Sequence, residues 1–388
     1  MPGREPVIVG VAEAPLKNGI VPGGQNPLEI QARSAKAALD EAGLTLKDVD
    51  GLLTAGSWGI PGAGNLMPLT VAEYLGIQPS FVDGTQIGGS SFEAHLAHAA
   101  MAIEAGYCQV ALITYGSTQR SLRERTLAGR APSLTLQFET PFGLPTPVGA
   151  YAMAAMRHMH DYGTTSGQLA EIAVATRKWA ALNPAATLRD PIAIDDVLAS
   201  PVISEPLHLL DCCLVTDGGG AVVITTGERA EDLRSRPIHV RGYGETLTHG
   251  TIASMPDLTL TGAESSGRRA MEMAGVRHDE IDVVEIYDSF TITVLLTLES
   301  LGFCGRGEGG AFVAGQRTAP GGDFPLNTNG GGLSYAHPGM YGLFLLIEAV
   351  RQLRGECGER QVPGAAIALA HGTGGVLSST VTCILSRD

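Results

Sequence analysis

A chain of 388 residues with 44% apolar residues, 51 glycines and a formal net charge of −14 can bury a substantial core but lacks the basic surface that a nucleic-acid partner needs. Its six cysteines (Cys108, Cys212, Cys213, Cys304, Cys357 and Cys383) form no Cys-x-x-Cys pair, which excludes the usual zinc spacing and a disulfide framework and points to a reduced, cytoplasmic compartment. With no signal-peptide pattern and no apolar run of transmembrane length, the expectation is a soluble protein with no membrane partner and no metal.

Pro6–Ala12 is a short apolar run that reads as a buried strand. Asn26-Pro27 then reads as an N-cap followed by proline in the first helical turn, and that helix stops near Gly43. Val49–Thr54 is the next strand, a helix is expected near Met67–Leu75, and Phe81-Val82 leads into a polar, glycine-rich loop at Asp83–Ser91. A helix from about Ser90 to Gly106 and a core strand at Val110–Tyr115 follow. Residues 118–215 break this rhythm with proline, threonine and arginine, and with helical patterns at 148–161 and 166–182; they read as an inserted cap. Gly218–Thr226 returns to a strand.

The second half repeats the first. Ser266–Gly275 before Asp282–Tyr287 echoes Ser34–Gly43 before Asp50–Thr54, and Leu346-Ile-Glu-Ala349 before Ala365–Ala370 echoes Ala102-Ile-Glu-Ala105 before the strand at Val110. Alternating strands and helices in two copies predict an α/β layered fold. The units are residues 1–117 with 216–235, the cap at 118–215, and residues 236–388.

Four segments fall at strand ends, where α/β proteins build sites: Thr85–Ser91, Tyr287–Phe290, Asn329–His337 and His371–Gly375. In the third, His337 directly precedes Pro338, so proline in a first helical turn places His337 at a helix N-terminus, beside a glycine loop whose N–H groups could hold an oxyanion. Each residue also has a plain structural reading: Tyr287 as a core tyrosine, His337 as a cap, His371 as a strand-end histidine, and Asp288 as the N-cap of the following helix. His158 and His160 stand two apart, which does not suit two metal ligands on one helix, and Gly305–Gly309 lacks the spacing of a phosphate-binding loop.

The duplicated halves, the insertion after the fourth strand, Gly331-x-x-x-x-x-His337-Pro338 and the late Gly372-Thr-Gly-Gly375 loop together resemble the thiolase superfamily. The branch most similar is that of sterol carrier protein x and the lipid-transfer proteins, on Glu285–Thr291, Gly305–Val313, Leu209–Cys213, Val215–Gly218 and His158–Gly163. The resemblance implies a five-layer α-β-α-β-α fold, a CoA thioester as substrate with no cofactor, and a homodimer. It also implies carbon–carbon chemistry beside a carbonyl. The family's cysteine nucleophile falls on Gln86, and its second cysteine falls roughly on His371. An amide cannot replace a thiolate as nucleophile. A tyrosine at 287 and a histidine at 337 without the cysteine resemble instead the steroid side-chain aldolases, which cleave a β-hydroxyacyl-CoA by retro-aldol reaction. Those enzymes carry tyrosine where this chain has His337. They pair with a small OB-fold, zinc-ribbon protein. The expectation is therefore an acid/base enzyme in which Tyr287, His337 and His371 are catalytic. Gln86, Gly88, Gly89, Asp288, Gly374 and Gly375 then line the substrate site. The alternatives are an acyltransferase that uses another residue and a non-catalytic acyl-CoA-binding subunit.

Overall fold

The computed structural model describes residues 3–57, 66–121 and 133–388. The first half runs β1 (Pro6–Glu13), α1 (Pro27–Ala42), β2 (Gly51–Thr54), α2 (Met67–Leu75), β3 (Phe81–Asp83), α3 (Ser91–Ala105) and β4 (Val110–Ser117). The cap holds α4 (Ser133–Phe138), α5 (Val148–Tyr162), α6 (Ser166–Leu182), α7 (Ile194–Ala199) and the small strands β5 (Val202–Ser204) and β6 (Leu207–His208). After β7 (Gly218–Thr226) and the short α8 (Gly227–Ala230), the second half runs β8 (Ile238–Leu247), α9 (Ala263–Ala274), β9 (Val283–Ile286), α10 (Thr291–Leu301), α11 (Gly309–Val313), α12 (Gly342–Arg354), β10 (Ile367–Gly374) and β11 (Ser379–Ser386).

The strand order β3-β2-β4-β7-β1-β8-β11-β10-β9 is a near palindrome. Each half places its first strand innermost, and the two half-sheets pair at Val7–His239 and Ile8–Ile238. The duplication is therefore structural, as the repeated sequence signals predict. Helix α1 packs on β1, β4 and β7, and α9 on β8 and β11, so each covers one outer face. Helices α3 and α12 touch strands of both halves. They form the middle layer and are buried on nearly every side, apart from the arginine end of α12 and the C-terminal turn of α3, where Met101 and Glu104 are exposed. That gives the expected five layers. Apolar residues on all faces of a helix have this cause: it must face two sheets rather than one.

Two glycines set the outer layers. A side chain at Gly10 on β1 would place its Cβ 2.0 Å from the Ala38 carbonyl oxygen of α1, and one at Gly242 on β8 would place it 2.2 Å from the Ala270 carbonyl oxygen of α9. Both strands accept a helix backbone directly on the sheet because no Cβ intervenes. The sequence predicts α1 closely: Asn26 caps it through the Leu28 and Glu29 N–H groups, Pro27 opens it, and Gly43 ends it in the left-handed region.

One expected helix start is corrected. Pro338 does not open α12, which begins four residues later at Gly342 behind an N-cap at Tyr341. Gly339 has a φ of 91°, outside any right-handed turn. The Pro338 carbonyl accepts a hydrogen bond from the Tyr115 hydroxyl at 2.6 Å rather than from a helical N–H. His337 is thus held by loop contacts and not by the helix dipole.

Among the described residues, no helix is long and apolar enough to cross a membrane. Gly10→Ala and Gly242→Ala are each expected to lower the unfolding free energy by about 1–3 kcal/mol through overpacking. Urea denaturation reads this as a lower midpoint with an unchanged slope. Two midpoints equal to that of the unsubstituted chain would show that the helices can move aside.

Candidate active site

The site is assembled from β9, the middle-layer helices and the returning cap. Tyr287 follows β9 directly, and its ring stands over Gly89, where an added Cβ would lie 2.2 Å from Tyr287 Cε2 and 2.5 Å from the Thr373 carbonyl oxygen. Gly89 is a glycine because a tyrosine ring occupies its side-chain space. Gly88 and Gly374 extend this packing. A Cβ on Gly88 would lie 2.7 Å from the Gly375 nitrogen, and one on Gly374 would lie 1.9 Å from the Ile87 carbonyl oxygen. The glycine loops of the two halves therefore press backbone to backbone beside Tyr287, bringing Gly88, Gly89, Gly374 and Gly375 together.

Tyr287 Oη lies 2.8 Å from His337 Nε2. Tyr287 is only 4% exposed, and burial raises its phenol well above the ordinary range. Burial also lowers the His337 imidazole to about 4. At neutral pH both groups are uncharged, so a phenol O–H can donate to an unprotonated Nε2, and the ring proton then sits on Nδ1. His337 keeps partial exposure, so the imidazole edge is where a ligand can reach the pair.

His337 is fixed by a segment that straddles the boundary drawn from sequence, where the cap ends at 215 and the first half resumes at 216. Residues 212–216 run beside the site: the Cys213 N–H donates to the Ser289 carbonyl, Leu214 N–H to Gly332 and Thr216 N–H to His337. In return the His337 N–H donates to Thr216 Oγ1 at 3.0 Å. Tyr341 stacks on Phe344 and meets the Tyr287 ring edge-on at 5.7 Å. Its hydroxyl donates to Asn329 Oδ1, which also accepts from the Gly331 N–H. Sequence reasoning gave no role to Thr216, Asn329 or Tyr341, although Asn329 opens the segment Asn329–His337 and Thr216 lies in the Val215–Gly218 stretch that carries the family resemblance. Asn329 and Tyr341 flank the glycine-rich stretch that carries His337, and for Thr216 the family match at Val215–Gly218 was the available signal.

Asp288 is corrected. It does not cap α10, whose N-cap is Phe290, and its carboxyl is turned to backbone N–H groups within the protein. It is fully buried, and its carboxyl oxygens accept the Gly332 N–H at 2.6 Å and the Leu333 N–H at 3.1 Å. Burial raises the carboxyl to about 7 while those two bonds pull it down. It holds the glycine loop that leads to His337.

His371 is corrected as well. It pairs with Thr382 across β10 and β11, and its Nδ1 bonds the Thr382 hydroxyl, which in turn meets Ser266 of α9. It stands level with Ile286, on the sheet face opposite the one that carries Tyr287, because neighbouring residues on a strand alternate faces. The acid/base role expected of His371 has no geometry here. Gln86 is exposed; its carbonyl accepts the Gly56 N–H, and its amide lies 3.7 Å from Met340 Sδ. It ties the Thr85–Ser91 loop to the His337 loop.

The segment from 212 to 216 brings two thiols: Cys212, whose Sγ donates to the His208 carbonyl and which burial raises, and Cys213. Burial raises Cys213 above the ordinary thiol range, and the Asp288 carboxyl adds to that. A thiol in that state is a poor nucleophile. The arrangement can therefore hold and move a proton between Tyr287 and His337, but it offers no thiolate to accept an acyl group.

A family model described as thiolase C-terminal domain-like matches residues 244–387. The chain is 35% identical over 349 residues to the 17-hydroxy-3-oxo-4-pregnene-20-carboxyl-CoA lyase of Mycobacterium tuberculosis, covering 86% of this chain and 88% of that one. It is 35% identical over 370 residues to a steroid side-chain-cleaving aldolase of Thermomonospora curvata, covering 90% of this chain and 91% of that one. Among solved structures it is similar to an Ltp2-ChsH2(DUF35) aldolase, with a TM-score of 0.87 and 32% identity over 100% of this chain and 98% of that one.

Gly89→Ala should drive the Tyr287 ring away from His337 and cut turnover on the order of a hundredfold, as misplacement of a reacting group by about 1 Å does. Steady-state kinetics on folded protein measure this. Turnover within about twofold of the unsubstituted enzyme would mean that the ring position is not critical.

Proposed function

This chain belongs to the thiolase superfamily, in its sterol carrier protein and lipid-transfer branch, and from that premise we propose that it is an acyl-CoA aldolase that cleaves a β-hydroxyacyl-CoA by a retro-aldol reaction. The observation that carries the residue assignment is the Tyr287–His337 hydrogen bond at 2.8 Å between two uncharged groups. The β-hydroxyl of the substrate gives its proton to the Tyr287 oxygen as Tyr287 passes its own to His337 Nε2. The Cα–Cβ bond breaks, leaving a ketone and a thioester enolate. Backbone N–H groups of the Gly88-Gly89 and Gly374-Gly375 loops stabilise the enolate oxygen. The proton returns through Tyr287 to the α-carbon, giving the shortened acyl-CoA. A proton moves from oxygen to carbon and no electrons leave, so the step calls for no cofactor.

The substrate class follows from the two lyases. In a 17-hydroxy-20-carboxyl-CoA steroid, the hydroxyl stands β to the thioester carbonyl, as the mechanism requires. We infer a steroid side chain, or an acyl group with the same β-hydroxy pattern, as the substrate. An acyl-enzyme route is disfavoured by the Cys213 thiol and by Gln86 at the nucleophile position. Two assembly inferences go with this reading. A second copy of the chain fits on β3, the terminal strand of its sheet, where Val82, Met101 and Tyr107 are exposed. A partner protein is inferred from the similar Ltp2-ChsH2(DUF35) aldolase, and we propose that it is the small OB-fold, zinc-ribbon protein that the sequence resemblance implies. The free state of all six cysteines fits a cytoplasmic setting.

Tyr287→Phe and His337→Ala are each expected to cut kcat on a β-hydroxyacyl-CoA by on the order of a hundredfold or more. Unchanged turnover in both would overturn the assignment. The base must be unprotonated, so kcat/KM should fall as pH drops through about 4, where His337 takes up a proton. A profile flat across that range would remove His337 as the base. Light scattering should give about twice the chain mass of 40.3 kDa; a monomer at micromolar concentration would rule out the copy-on-β3 arrangement.

A further inference from the structure

One buried acid takes no part in the steps above. Glu93, in the first turn of α3, is 0% exposed, and neither carboxyl oxygen has a hydrogen-bond partner in any other described residue. Its surroundings are built for it. A Cβ on Gly342, the first residue of α12, would lie 2.3 Å from Glu93 Oε2, and one on Gly372 of β10 would lie 2.3 Å from the same atom. Two glycines on different elements thus leave room for one carboxyl. The same Gly342 position is 2.4 Å from the Gly89 carbonyl oxygen, and Gly89 is the residue on which Tyr287 rests. Glu93 therefore sits one layer behind the Tyr287 contact. It also touches the residue where the His337 loop becomes helix.

We infer that Glu93 is a positioning residue for the Tyr287–His337 pair: as an uncharged carboxyl it fills the junction of α3, β10 and α12 and fixes where the His337 loop lies against Gly89. This rests on the reading of that pair as the acid and base. An anion in a pocket walled by glycine backbone, with no partner to compensate it, would draw in water and push α12 away from α3. Burial raises the Glu93 carboxyl to about 8, so the uncharged form prevails at neutral pH. Few titratable groups face it. Cys383 on β11 has its Sγ 3.6 Å from the Glu93 carbonyl and is itself raised by burial, by Glu93 and by Glu245 of β8. Tyr287 lies across Gly89, His371 is on the far face of β10, and His95, two residues on and turned to another side of α3, bonds the Thr85 carbonyl and stays neutral. The first turn of α12, Gly342 to Leu345, carries no titratable side chain.

The sign is set by linkage. A carboxyl raised in the folded state binds its proton more tightly than the unfolded chain does. Its stabilising share is full at low pH and is lost as pH rises from about 4.5 through about 8. Glu93→Gln keeps the shape without the charge. The test compares the unsubstituted enzyme, Glu93→Gln and Glu93→Ala. The difference in melting temperature between Glu93→Gln and the unsubstituted protein should widen as pH is raised across that window. The alkaline fall in kcat of the unsubstituted enzyme should move up by about one pH unit or more in Glu93→Gln. Glu93→Ala should lose kcat roughly tenfold with KM little changed, and Glu93→Gln should restore it. The His337 resonances in nitrogen-15 NMR should inflect near the Glu93 titration in the unsubstituted protein and not in Glu93→Gln. A shared alkaline limb and a constant melting difference would overturn the inference, as would full kcat in Glu93→Ala. If no form cleaves a β-hydroxyacyl-CoA, the aldolase reading fails, while the melting and NMR readouts still judge Glu93.

Discussion

The hydrogen bond between Tyr287 and His337 joins side chains 50 residues apart, and most of the structure near it serves to hold that distance. Neither ring is charged at neutral pH, so no ion pair draws them together. Their separation is set by what lies behind them. Gly89 gives the phenol its place, and Thr216 and Tyr115 fix the histidine loop through its backbone. Asp288 ties down the glycine turn that feeds it. Positioning of this kind is what acid/base catalysis needs, since proton transfer depends on distance before it depends on pKa.

The duplication explains why the site lies where it does. Each half supplies a middle-layer helix, and each helix start is reached by a glycine loop. In the first half the loop holds Gln86 and Gly89 and offers shape but no nucleophile. In the second half the loop holds His337. Gly88 against Gly375, and Gly374 against Ile87, show the two halves in backbone contact. A chain with one half alone would have neither the floor under Tyr287 nor the second glycine loop. The cap, inserted in the first half, reaches the second half through Cys213 and Leu214, which bond Ser289 and Gly332, and through Asn183 and Arg177, which bond Asn329 and Ser334. It is therefore part of the site's frame as well as a cover.

The layers, the repeat and the pair Tyr287–His337 were legible in the sequence, because each rests on local pattern: helical caps, apolar strands, and a histidine in a glycine-rich stretch. The misplaced features depend on the third dimension. The start of α12 was read four residues early because proline is a good first helical residue, and the pull of Tyr115 on the Pro338 carbonyl comes from 223 residues away. Asp288 has the sequence position of a cap, but the nearest unsatisfied N–H groups were those of a loop 44 residues on. His371 matched a family position approximately, and a shift of one residue along a strand is enough to turn a side chain to the other face. Thr216 lay in a segment with no periodicity, so only the family match at Val215–Gly218 marked it, and nothing local pointed to its contact with His337.

The loss of the nucleophile has a consequence for charge. A thiolase-type site is organised around an anion, the thiolate, and needs donors and cations that favour it. Here the groups at the reacting position are held uncharged by burial: the phenol and the Cys213 thiol are raised and the imidazole is lowered; behind them Glu93 is raised past neutrality, and Asp288, raised to about 7, keeps its charge turned to the Gly332 and Leu333 N–H groups. In such surroundings the charge that matters is the one that develops on the thioester oxygen when the carbon–carbon bond breaks. Backbone N–H groups can meet that charge without competition from a fixed anion. An uncharged site suits a reaction that begins and ends with the proton on the substrate, and the same burial that removes thiolase chemistry favours the aldol cleavage.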